Sequence, residues 1–153
     1  MAGLSGVAMF FGQYSLPLDA QRRLVLPADF RSLLGEGAFA FQGFERNLIV
    51  LPQAAFETIC HQAGSWSITD PSARLLLRMT LGTAVALTLD VEGRITLPAD
   101  LCAFAALERE VVLLGQGRYF EIWAPALWNV QKLRLQDAEA NAGRFATLHL
   151  TIA

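Results

Sequence analysis

The chain has almost no lysine: Lys132 is the only one among 12 basic residues, and the rest are arginine. Lysine attracts phosphate diffusely, whereas arginine suits fixed, bidentate recognition. With 14 acidic residues and a net charge of −2, the composition excludes strong non-specific nucleic-acid binding. Any such binding must come from a few placed arginines or from many subunits acting together. Cysteine is also scarce. Cys60 and Cys102 are the only two, and neither belongs to a C-x-x-C pair. They read as buried thiols in a reducing cytoplasm rather than as a disulfide. No run reaches the roughly 18 consecutive apolar residues of a membrane helix. The opening MAGLSGVAMFFG is apolar but has no basic residue before Arg22, so it lacks the charged start of a secretory signal. No G-x-S-x-G, H-E-x-x-H or phosphate-cradling glycine loop occurs. His61 and His149 lie in unrelated contexts, and no cluster offers convergent metal ligands, so neither a metal nor a cofactor is expected.

What the chain does have is an internal repeat. LDAQRRLVLPAD at 18–29 returns as LDVEGRITLPAD at 89–100, seven of twelve positions being identical at a shift of 71. A match of this quality points to duplication. Each copy predicts a strand, a polar turn, a second strand and a short helix, the turn being either a hairpin or a corner. Glu92-Gly93 is favourable turn chemistry, since glycine accepts positive φ. Pro27 and Pro98 are placed at the first helical position, with Asp29 and Asp100 opposing the positive end of the helix dipole. The helices are expected over 27–34, closed by Gly35, and over 98–106.

The likeness continues through AFAFQGFERNLIVL and EVVLLGQGRYFEIW, each two apolar strands about a glycine-containing turn, with Arg46 matched to Arg118 if one residue is inserted. Helices opening at Pro52 and Pro125 follow, anchored by Phe56 and Trp128. Each half thus reads β-β-α-β-β-α. Between them, Thr69 or Asp70 caps a helix starting at Pro71, with Arg74 and Arg78 on one face. The boundaries are 1–8 (N-terminal extension), 9–64 (first half), 65–82 (central linker helix), 83–128 (second half) and 129–153 (C-terminal helix and tail). Beyond Asn141 the pattern fits a tail or a last strand. Apolar residues make up 54% and charged residues 17%, so some apolar surface is expected to be buried against other subunits.

A half of this size exposes most of its core alone. Two copies covering each other about a pseudo-twofold axis would close a small barrel and hide its strand edges. That symmetry presents Arg23 and Arg94 at equivalent corners, with Asp19 and Asp90 four residues before them, spaced to hold each arginine by a charge-assisted bond. The alternative is that these pairs only staple their own turns. A paired-aspartate hydrolase would also bring two carboxylates to a pseudo-dyad. However, Ala20 and Val91 follow the aspartates where such an enzyme has a small hydroxyl residue and glycine.

The duplicated L-D-x-x-G-R-x-x-x-P phrase, the spacing of about 70 residues between copies, the M-F-x-G opening from Met9, the GQGR-YFEIW stretch and the arginine-bearing central helix together resemble the MraZ family of bacterial transcriptional regulators. The resemblance runs from Met9 to the helix after Trp123. It implies a SpoVT–AbrB-like, β-rich α+β fold: a double-split or swapped-hairpin β-barrel. It also implies a homo-oligomeric ring, cytoplasmic and nucleoid-associated. The implied partner is double-stranded DNA carrying short G-rich direct repeats upstream of the division and cell-wall gene cluster. The family's DNA-contacting position falls on Arg23 and Arg94, with Asp19, Asp90 and Gly93 as supporting turn residues. Arginine is the side chain best shaped for guanine O6 and N7. AbrB-like antitoxins, and rings that no longer bind DNA, are the alternatives within the fold. Three departures stand out. Gln21-Arg22 replaces the family's usual Lys-Gly, which strains the turn by ~1 kcal/mol if the position needs positive φ and makes Arg22 the replacement phosphate contact. Phe11 stands where arginine is common. Met9 aligns with the usual start, so residues 1–8 are read as an extension or a mis-assigned start.

Overall fold

A computed structural model of the chain describes residues 9–35 and 37–150; the expected extension 1–8 lies outside the described residues. The first half comprises β1 (Gln13–Pro17), β2 (Arg23–Val25), α1 (Ala28–Leu34), β3 (Ala38–Gln42), β4 (Leu48–Pro52) and α2 (Gln53–Ala63). After α3 (Pro71–Met79) and a 3-10 turn at Leu81–Thr83, the second half repeats the order. It comprises β5 (Val85–Leu87), β6 (Arg94–Thr96), α4 (Ala99–Ala105), β7 (Glu110–Gly115), β8 (Phe120–Trp123) and α5 (Pro125–Gln136). A further helix, α6 (Ala138–Arg144), was not expected as separate. Asp137 breaks the C-terminal helix: its carboxylate accepts from the Ala140 N–H and so starts a new helix. No strand follows Asn141 among the described residues.

The repeat sets the element order, and the pairing interlocks the halves. β1 and β2 do not pair with each other. β1 runs antiparallel to β7 of the other half, and β5 reciprocally pairs with β3. The six-stranded sheet therefore reads β1-β7-β8-β4-β3-β5, an order that maps onto its own reverse when the halves are exchanged. The remaining strands, β2 and β6, pair across the halves as a separate ribbon. This is the swapped-hairpin arrangement, and each polar turn is a corner rather than a hairpin. The strands are split between a sheet and a ribbon instead of being hydrogen-bonded into one closed barrel. The pseudo-axis passes where equivalent residues face each other: Leu24 against Ile95 in the ribbon, and Ile49 against Glu121 in the sheet.

Strand periodicity explains the apolar composition. In β4, Leu48 and Val50 face the main core while Ile49 and Leu51 face α2. In β7 and β8, Val111, Leu113, Phe120 and Ile122 face the main core, while Val112 and Trp123 pack on Trp128 of α5. A sheet covered on both faces uses part of the apolar composition, while large apolar side chains such as Phe44, Ile68, Leu75 and Leu133 remain exposed. Phe56 stacks on Phe39 with centroids 4.1 Å apart, and Trp128 lies 5.7 Å from Trp123, so both expected anchors hold. The thiols divide differently from expectation: both are free, but Cys60 is only half-buried. The prolines also sit one position earlier than expected. Pro27 and Pro98 are N-cap residues with extended ψ, so each helix starts at the following alanine. Asp70 caps α3 by accepting from Ser72 N–H, and Pro71 opens it.

Glu121 is the polar exception at the axis, where its equivalent is Ile49. Burial pushes its carboxyl above the ordinary carboxylate range, although its Oε1 accepts from Trp123 Nε1–H at 2.9 Å. A carboxyl whose pKa is raised on folding destabilises the fold once pH exceeds its unfolded value, because the folded state holds the charge at a cost. Glu121→Gln should therefore raise the melting temperature at pH 7 by a few degrees, an effect of about 1 kcal/mol or less at a partly solvated site. The gain should shrink toward pH 4. Thermal melts of the two proteins across that range check it, and a Gln variant less stable at pH 7 would contradict the assignment.

Candidate nucleic-acid interface

Both corners are built the same way. In the first, Asp19 Oδ1 accepts from the backbone N–H groups of Gln21 (2.9 Å) and Arg23 (2.8 Å). Its Oδ2 takes Arg23 Nε–H at 2.7 Å. In the second, Asp90 Oδ1 accepts from Glu92 and Arg94, both at 2.9 Å, and Oδ2 takes Arg94 Nε–H at 2.7 Å. The aspartate thus folds the turn with one oxygen and aims the arginine with the other. Backbone donation from the arginine, with the Nε–H bond and the nearby charge, holds each carboxyl below its ordinary range. That is the opposite of two acids sharing a proton.

The register places the two arginines together. Arg23 pairs with Thr96, and Arg94 with Val25, so the arginines are diagonal neighbours on the ribbon. Diagonal residues of an antiparallel pair lie about 7–8 Å apart. Leu24 and Ile95 point inward and are fully buried, so the side chains on either side of them in each strand point outward. Arg23 and Arg94 therefore share the outer face of one ribbon, with Val25 and Thr96 beside them.

The corners differ in their third and fourth residues. Gln21 Oε1 accepts from Arg23 at 3.3 Å, whereas Glu92 forms a second ion pair with Arg94. The left-handed position of each turn is Arg22 (φ 62°) in the first and Gly93 (φ 76°) in the second. The strain expected from losing glycine at Arg22 is therefore present. One more left-handed pair recurs at the shift of 71, Gly35 with Ala106. The turns between β3 and β4 and between β7 and β8 differ in length: Gly43 N–H closes on the Asn47 carbonyl and Gln116 N–H on the Tyr119 carbonyl, so their left-handed residues, Arg46 and Gly117, stand at different places in the turn. Arg22 also ties the halves together. Its Nε–H donates to the Leu97 carbonyl at 2.9 Å, and its own carbonyl accepts from Leu97 N–H at 2.8 Å. Reciprocally, the Gly93 carbonyl accepts from Leu26 N–H at 3.1 Å.

An interlocked duplicate carrying two aspartate-held arginines on one outward ribbon defines a twofold-repeated swapped-hairpin domain. Comparison with known proteins gives the family. The profile described as "MraZ protein, putative antitoxin-like" matches twice, over residues 9–79 and 80–148. A protein of Roseiflexus sp. (strain RS-1) named transcriptional regulator MraZ is 40% identical over 139 residues, covering 90% of this chain and 94% of the relative. Proteins of the same name from Thermomicrobium roseum and Desulfitobacterium hafniense (strain DCB-2) are each 37% identical. They cover 92% and 88% of this chain, and 99% and 94% of their own lengths, respectively. The chain belongs to the MraZ family. No described helix is long and apolar enough to cross a membrane.

Proposed function

We propose that the chain is a sequence-specific DNA-binding transcriptional regulator that reads short G-rich direct repeats upstream of the division and cell-wall genes. In this reading it acts as a homo-oligomeric ring, associated with the nucleoid in the cytoplasm. Arg23 and Arg94 read guanine edges, and Arg22 contacts phosphate. The observation that carries this reading is the diagonal placement of Arg23 and Arg94 on the outward face of β2–β6. A two-stranded ribbon fits the major groove, where arginine recognises guanine O6 and N7. The relatives' name, transcriptional regulator, supports the same reading. A single subunit offers few contacts, so affinity comes from several subunits engaging repeats at matching spacing.

The test is a titration of duplex DNA from upstream of the protein's own gene against the same DNA with its G-rich repeats scrambled, at several salt concentrations. The native array should bind at least about tenfold more tightly, with a shallow salt slope per subunit because lysine is nearly absent. Equal binding to both duplexes would refute base reading by this ribbon.

A further inference from the structure

The two corners look unequal at their left-handed positions. The first offers the guanidinium of Arg22 beside the exposed tip of the turn, and the second offers only Gly93. The space above Gly93 is not empty. A Cβ built on Gly93 would run into Arg31, meeting its Cδ, Nη1 and Nε. Arg31 belongs to α1 of the first half, so it reaches across to the second corner. Its counterpart at the shift of 71 is Cys102 on α4, and Arg22 is the charge felt at Cys102. Each junction between a corner and the opposing helix therefore contains one arginine and one small residue. The arginine comes from the turn in one junction and from the helix in the other.

We propose that Arg31 is the phosphate-contacting residue of the second corner, taking there the part that Arg22 takes in the first. This rests on the DNA-binding reading of the ribbon and extends it to a residue outside the repeated turn. Among the described residues, Arg31 makes no salt bridge. Its Nε is buried without a hydrogen-bond partner. A guanidinium held by packing over a glycine, with its charge uncommitted, is prepared for an external anion. The need is also local. Glu92 stands where the first corner has neutral Gln21, so the second turn carries an extra negative charge that disfavours the approach of phosphate. Arg31 offsets it.

The test compares Arg31→Gln, Arg31→Lys and Arg23→Ala with the unaltered protein on the duplex carrying the G-rich repeats, by fluorescence anisotropy across salt concentrations. Gln keeps a stem over Gly93 and loses the charge, while Lys keeps the charge. Arg31→Gln should lose about tenfold in affinity on repeat and scrambled DNA alike, with the salt slope falling by about one per subunit. Arg31→Lys should retain the slope. If Gln and Lys both bind as the unaltered protein does, or both weaken equally, Arg31 acts through packing at most and the proposal is wrong. Arg23→Ala separates the two failures. If it loses binding while Arg31→Gln does not, the ribbon reading survives and only the Arg31 assignment falls. If Arg23→Ala binds normally, the ribbon reading itself falls.

Discussion

Arg23→Ala combined with Arg94→Ala is expected to abolish detectable binding to the G-rich array and leave the fold intact. Each arginine places one guanidinium on the outer face of β2–β6, and a good arginine–guanine pair contributes about tenfold or more in discrimination. Losing both from every subunit multiplies that loss along the array, because avidity compounds the affinity of each contact. The fold should persist for a separate reason. Both side chains are partly exposed, their ion pairs are local to the turns, and surface pairs of this kind contribute little to stability. The backbone bonds that shape each corner, such as Arg22 N–H to Asp19 O at 2.9 Å, remain available in the alanine variant. Single variants should be intermediate. Arg23→Ala should cost more than Arg94→Ala, since Glu92 already occupies part of the Arg94 guanidinium. Asp19→Asn and Asp90→Asn should cost less than either, because asparagine can still accept the turn N–H groups and only the aim of the arginine loosens. Gel shifts with circular dichroism as the folding control would decide. A double variant that is well folded and binds like the unaltered protein would place the interface elsewhere.

The repeated dodecapeptide made much of this site legible beforehand. Asp and Arg four apart across a turn fix a local geometry, and local geometry follows from local sequence. The element order was legible for the same reason, as were the aromatic anchors on α2 and α5. Strand exchange was only partly so. Symmetry implied that the halves cover each other, but the alternation in QYSLP or VAL is satisfied equally by a partner in its own half or in the other. The pairing of β1 with β7 sets Tyr14 opposite Leu113 and Leu16 opposite Val111 on the face of the main core, a property of the assembled halves. Arg31 was invisible for a related reason. It lies outside the turn motif and is joined to Gly93 only by the crossing of the halves.

Separating the halves between Met79 and Thr80 is expected to leave neither piece a stable folded monomer, and mixing the pieces should restore the fold as a heterodimer. Alone, the first half keeps β3 paired with β4 but loses β7 as the partner of β1, and β6 as the partner of β2. The main core is drawn from both halves, with Phe30 of α1 packed 4.9 Å from Phe120 of β8. Much of what each fragment would bury lies against the other half, so its own core is too small to support folding. Self-association is the obvious escape, and the junctions disfavour it. Two first halves would set Arg22 against Arg31 at both corners, where the intact chain has Arg22 against Cys102 and Arg31 against Gly93. Gly93 admits no Cβ beneath Arg31, so a second arginine there meets both crowding and like charge. Two second halves would set Gly93 against Cys102 and leave each junction unfilled. Only the mixed pair places one arginine and one small residue at each corner. Analytical ultracentrifugation of each piece and of the mixture would show whether the heterodimer outcompetes both homodimers. A first half that folds alone as a monomer, or pairs with itself as readily as with its complement, would show that the junctions do not set the choice of partner.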